Sequence, residues 1–186
     1  ALGWQEISVD SLRTTIEAEL APAGEIKATG VAEKIQRKTL TLDRMELGFA
    51  GKPADHQVTF TVLKKQQSLK FEAQGGWTDE RWQGDIIDLQ ASYPGKGLLQ
   101  LDRKTPLTFG PDMMHLDNLC LSDKNASLCF TGQVEQDQWQ GNLELTEVDP
   151  AIFFPQWPGN LSTRVEGNGK LSGDDSTFRI QVKKLS

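Results

Sequence analysis

Residues 118–133, NLCLSDKNASLCFTGQ, read as two short strands around a tip. Folding them about Lys124–Asn125 uses the tolerance of Asn for left-handed backbone, which tight hairpin turns require. In that register Leu121 faces Leu128 and Leu119 faces Phe130 on one side, and the same side continues to His115 opposite Val134. The other side takes Ser122–Ser127, Cys120–Cys129 and Asn118–Thr131. Both cysteines of the chain therefore fall directly opposite one another.

Opposed residues of an antiparallel pair have Cα atoms about 4.5–5.5 Å apart, within reach of a disulfide. A redox motif would want C-x-x-C at a helix start, and zinc would want four ligands where only His56 and His115 remain to help. Free thiols are the alternative. A structural disulfide between Cys120 and Cys129 is the expectation, and with it an oxidising compartment.

Working outward, the segment carries a partner elsewhere in the chain. Superposing Trp82-Gln83-Gly84 on Trp139-Gln140-Gly141 gives an offset of 57 residues (139 − 82). The offset also places Val62 on Leu119, Phe71 on Leu128, Ala73 on Phe130 and Gly75 on Gly132. An internal repeat over about 58–89 and 115–146 follows, within one repetitive β domain spanning 1–186. Carrying the hairpin register across predicts Val62–Ala73, Phe60–Gly75 and Val58–Trp77 on the apolar side of the first copy. Leu63–Glu72 then replaces the cysteine pair, so the fold does not depend on sulfur.

Period-two alternation recurs along the whole chain. Val58, Phe60 and Val62 alternate with Thr59 and Thr61; Leu143 and Leu145 alternate with Glu144 and Thr146; Phe178, Ile180 and Val182 alternate with Arg179 and Gln181. The expectation is a mainly β, antiparallel-rich protein with few short helices and one apolar side. The best helix is DPAIFF (149–154), where Asp149 caps, Pro150 suits the first turn and Pro155 stops it. The start at ALGWQ and the end at IQVKKLS, in strand pattern, suggest a piece of a longer chain.

The chemistry-bearing signals are few. The net charge of −6 comes with mixed signs and no basic run, which argues against a nucleic-acid partner. GNGKLSG (167–173) is spaced G-x-G-x-x-x-G inside a strand pattern and opens no helix, so it is not a nucleotide loop. No G-x-S-x-G, H-E-x-x-H or Walker pattern occurs. Asp55-His56 reads as a solvated turn, and His115 as a satisfied histidine at a sheet edge. Trp82 and Trp139 each stand two residues before a glycine, which suggests rings packed over glycine gaps. No catalytic, cofactor or metal residue is assigned, and the protein is expected not to be an enzyme.

Several stretches together resemble the TamB family: DHQVTFTV (55–62), RWQGDI (81–86), KTPLTFGPDMMHLDNLCLSDKNASLCFTGQ (104–133), WQGNLEL (139–145) and QWPGNLSTRVEGNGKLSG (156–173). The resemblance runs from about Leu40 onward, the first forty residues matching only in alternation. It implies a curved, taco-like sheet with an apolar concave side, in a protein anchored in the inner membrane of a Gram-negative bacterium and reaching across the periplasm. It also implies work with a TamA-like outer-membrane barrel in assembling outer-membrane proteins such as autotransporters, and transport of phospholipid between the membranes. This chain would be an internal periplasmic segment.

A sheet with one apolar side must hide it, and helices to cover it are scarce here. If the sheet bends into a trough, Val58, Phe60, Val62, Ala73 and Trp77 line it. So do Leu119, Leu121, Leu128, Phe130, Leu143 and Leu145 from the second copy. Thr59, Thr61, Glu72, Cys120, Cys129, Glu144 and Thr146 face outward. Ile152, Phe153 and Phe154 form a partial cover at the groove mouth. The expected partners are phospholipid acyl chains or apolar strands of outer-membrane proteins, and neighbouring segments of the same chain. The alternative is a closed β-sandwich serving as a carbohydrate- or protein-binding module.

Overall fold

A computed structural model describes residues 7–19, 21, 24–38, 40–93, 97–150, 159–172 and 175–185. Thirteen strands follow one another: β1 (Ile7–Ala18), β2 (Ile26–Arg37), β3 (Leu40–Lys52), β4 (Asp55–Lys64), β5 (Gln67–Thr78), β6 (Arg81–Tyr93) and β7 (Gly97–Leu101). They continue with β8 (Thr105–Gly110), β9 (Met113–Ser122), β10 (Ser127–Glu135), β11 (Gln138–Val148), β12 (Leu161–Lys170) and β13 (Thr177–Leu185). All belong to a single antiparallel sheet whose spatial order is the chain order. β7 and β8 share one place, each pairing with both β6 and β9. They are one strand interrupted at 102–104.

The turns β3–β4, β4–β5, β5–β6, β8–β9 and β10–β11 are each two residues long. Thr78 faces Arg81, and the two residues between them, Asp79 and Glu80, both take positive φ (49° and 64°). Such a primed turn matches the right-handed twist of its strands. Lys65 and Gln136 likewise turn left-handed, at 55° and 54°. None of these turns contains Asn-Gly, so their positions are weakly signalled in sequence. The first-copy hairpin accordingly closes elsewhere than expected. The turn falls at Lys65–Gln66, so Val58 pairs with Ala73, Phe60 with Phe71, Val62 with Leu69 and Leu63 with Ser68. The shift is an even number of residues, so each side chain stays on its predicted side.

The second-copy register holds as far as Phe130: Leu121–Leu128, Cys120–Cys129 and Leu119–Phe130 are opposed. A bulge then moves it by one residue. Leu116 faces Gly132 and His115 faces Gln133, while Val134 faces Met114. The expected Asn118–Thr131 and His115–Val134 pairs are lost, and His115 falls on the polar side, because one inserted residue reverses the alternation. The tip is also built differently. Asp123 Oδ1 accepts from the backbone N–H groups of Asn125 and Ala126, both at 2.7 Å. An aspartate side chain, and not a left-handed asparagine, closes the loop.

Bulges recur along one line. β6 carries an extra residue between its partners for Glu72 and Ala73, the β7/β8 strand breaks at 102–104, and β9 carries its extra residue next to Leu119. Each bulge bends its strand and increases local twist. Of the expected helix at 149–154 only Asp149 and Pro150 are described.

Candidate functional site

Directly opposed side chains project to the same side of a sheet, so the register traces rows across it. One row runs Leu47, Phe60, Phe71 and Leu89 across β3–β6. Beside it run Met45, Val62, Leu69 and Ala91, and Phe49, Val58, Ala73 and Ile86. In the second half, Leu119, Phe130, Leu143, Val165 and Ile180 follow one another across β9–β13. Leu121, Leu128, Leu145, Thr163 and Val182 form the adjoining row. Leu101 faces Leu121, and Phe109 faces both Trp82 and Met114, which joins the halves on the same side. At the far edge Leu12 opposes Ala32, and Ile16 opposes Ala28. All eleven residues singled out as lining candidates lie on this side. Ile152, Phe153 and Phe154 lie outside the described residues.

These rows are only partly hidden. Ala73, Trp82, Ile86 and Leu121 are buried, whereas Leu47, Leu69, Trp77 and Phe109 are exposed. The chain exposes 12843 Å², where a compact monomer of its 20.7 kDa would expose about 8,900 Å². An excess of that size accompanies one extended layer of strands among the described residues, with several of their apolar side chains exposed.

Aromatic rings occupy the places where glycine removes a side chain. A Cβ on Gly75 or on Gly84 would stand 2.7 Å from the Trp82 ring, so both glycines are needed for the ring to lie flat across them. Trp82 thus packs over its glycine as expected. In the second copy the ring over Gly141 is that of Phe130, and Trp139 lies over Gly167 of the next strand instead. Trp82 also stacks on Phe109 with centroids 5.3 Å apart.

His56 departs furthest from the sequence reading. It is 4 % exposed, and its ring stacks on Phe49 at 4.6 Å. The Trp82 indole N–H donates to His56 Nε2 at 2.9 Å, and His56 Nδ1 stands 3.1 Å from the carbonyl oxygens of Lys52 and Pro53. An indole nitrogen only donates and carbonyls only accept, so Nε2 is the bare nitrogen and Nδ1 carries the hydrogen. Asp55 and His56 form no solvated pair, because the ring is drawn under the β3–β4 turn. No local pattern signals that contact, since Trp82 is 26 residues away.

The opposite side is polar. Thr59 faces Glu72, which faces Asp88, and the Lys70 ammonium bonds Asp88 at 2.7 Å. That contact holds the Asp88 carboxyl below its ordinary range and raises Lys70. Glu144 lies opposite Cys129 and Arg164, and its carboxyl is lowered by Lys183. The disulfide between Cys120 and Cys129 is formed on this side, with Cα atoms 4.1 Å apart. An open concavity of about 340 Å³ lies over Gln133, Gln140, Asn142, Glu166 and Asn168. Its lining also takes in His115, Leu116, Asp117, Thr131, Gly132, Gly141 and Gly167.

The model of the TamB N-terminal domain matches residues 1–138 of the 186. This chain belongs to the TamB family. The match starts at residue 1 and so takes in the forty residues that the motif resemblance left out, and it ends at β11, before the resembling stretch at 156–173. TamB-family proteins are envelope proteins of Gram-negative bacteria. No curated protein and no solved structure matches the chain. Among the described residues no helix is long and apolar enough to cross a membrane, which says nothing of strands.

Proposed function

We propose that this TamB-family chain is a non-enzymatic periplasmic segment whose apolar rows line a trough for phospholipid acyl chains moving between inner and outer membrane. The observation that supports the reading is the recurrence of apolar residues on one side of the strands from β1 to β13, several of them exposed. An acyl chain offers such a surface the cover that a second layer would otherwise supply. The same lining suits apolar strands of outer-membrane proteins in transit, and a TamA-like barrel would receive them. The excess of exposed surface favours this over a closed sandwich, whose two inner faces would seal each other.

Photo-crosslinkers at Phe60 and Leu143 are expected to capture lipid in cells, and those at Thr61 and Glu144 are not. Phe60→Glu or Leu143→Arg should block lipid passage while leaving the sheet folded, because a half-open side tolerates a charge that a sealed core rejects. Equal labelling of both sides, or global unfolding by either charge, ends the reading.

A further inference from the structure

In an antiparallel meander successive turns alternate between the two margins of the sheet. The turns β1–β2, β3–β4, β5–β6, β8–β9 and β10–β11 lie along one margin, and β2–β3, β4–β5 and β9–β10 along the other. Their charges differ in sign. The first margin carries Glu19, Glu25, Asp79, Glu80, Asp112 and Asp137, against Lys52 and Arg81. The second carries Arg37, Lys38, Lys64, Lys65 and Lys124, and none of these bases forms an ion pair among the described residues. Asp123 beside Lys124 is engaged by the amides of Asn125 and Ala126. At the β4–β5 turn the basic margin meets the apolar side. Lys64 follows Phe60 and Val62 at the same parity and is half-buried. Gln67 opposes it, and Tyr93 continues from Leu89 and Ala91 on that side. Asp43 accepts from the Lys65 backbone N–H and leaves the Lys64 ammonium free. An ammonium, an amide and a phenol hydroxyl, all able to donate, thus border the apolar row of Val62, Leu69 and Ala91. An open concavity of about 390 Å³ lies at Lys64, Lys65, Gln66 and Gln67.

We propose that a phospholipid in the trough lies with its phosphate at the β4–β5 margin, held by Lys64 and Lys65, and its acyl chains inward over Val62, Leu69 and Phe60. The assignment rests on the reading of the apolar rows as a lipid trough. A lipid phosphate is anionic, and a lysine at the border of an apolar surface can meet it while its methylene stem stays on that surface. The opposite margin would set the same phosphate against Asp79 and Glu80, like charge facing like. Phosphatidylglycerol, whose headgroup adds no cation to the phosphate, separates the two margins most sharply.

Phosphatidylglycerol with a photoreactive headgroup, presented in vesicles to the intact chain, should label residues 64–67 and spare 78–81. The same lipid with a photoreactive acyl chain should label Phe60 and Leu69. Changing Lys64→Glu and Lys65→Glu together should lower retention of phosphatidylglycerol about tenfold at low salt, an effect that shrinks as salt is raised. Retention of diacylglycerol, which has the chains and no phosphate, should not change. Asp79→Lys with Glu80→Lys should not lower retention of either lipid. These positions lie in or beside turns, so the strand signal in circular dichroism should match that of the wild type, and the labelling needs no variant. Headgroup labelling at both margins, an equal loss of diacylglycerol, or retention indifferent to the lysine changes would overturn the margin assignment, and acyl labelling of Phe60 would still leave the trough standing. Absence of acyl labelling would overturn both.

Discussion

Two polar side chains show how much of this sheet rests on single contacts. His56 is fixed between Trp82 and two backbone carbonyls, so each of its nitrogens has a partner that fits only one tautomer. Replacing Trp82 with Phe keeps a ring over Gly75 and Gly84 but leaves Nε2 buried without a donor. Trp82→Phe should cost about 1–3 kcal/mol, the penalty of an unsatisfied buried polar group, read from the urea midpoint. Nitrogen NMR of the wild type should show Nδ1 protonated. Asp123 works at the opposite extreme, on a loop. Bonds from the amides of Asn125 and Ala126 hold its carboxyl below the ordinary carboxylate range. A depressed folded-state value means that this stabilisation is present above the unfolded value of about 3.9 and is lost as pH falls through the folded value. The stability gap between wild type and Asp123→Asn, measured by urea unfolding, should therefore be widest near neutrality and shrink in acid. A gap that stays constant with pH would mean that the charge plays no part.

At the scale of elements, the two hairpins β4–β5 and β9–β10 compare one pairing with and without sulfur. Leu63 and Ser68 close the first beside its turn, and the disulfide clips the second across a separation of nine residues. Cross-linking so short a loop adds about 2–3 kcal/mol in the chain-entropy account. Changing Cys120 and Cys129 together to Ala should lower the unfolding free energy by about that amount while the strand content in circular dichroism is kept. In the wild type, neither thiol should react with a maleimide until a reductant is added. Loss of the sheet on reduction would show that the clip, and not hydrophobic pairing, sets the β9–β10 register.

The whole molecule is a meander of near neighbours, and its openness is measurable in solution. A compact chain of this length has a radius of gyration of about 16 Å. Small-angle scattering of the monomer should exceed that clearly, since the surface is that of a layer and not of a ball. A value at the compact limit would mean that the apolar side is sealed within the molecule.

Alternation along the chain was enough to determine strand identity and the side each lining candidate occupies, both of which depend on a period of two, a local property of the backbone. The opposition of Cys120 to Cys129 needed in addition the tip placed at Lys124–Asn125. Even the misplaced β4–β5 turn kept Val58, Phe60 and Val62 on their side, because a shift by an even count preserves parity. What the sequence could not show are the events that break the period. The bulge that moves His115 to the polar side, and the interruption at 102–104, each insert residues whose fit is decided by the neighbouring strand. The burial of His56 likewise needed Trp82 to arrive from two strands away. The continuity of thirteen strands in one sheet was also a tertiary outcome, because alternation with a single apolar side is equally compatible with two packed sheets, and only the strand order places the described strands in one.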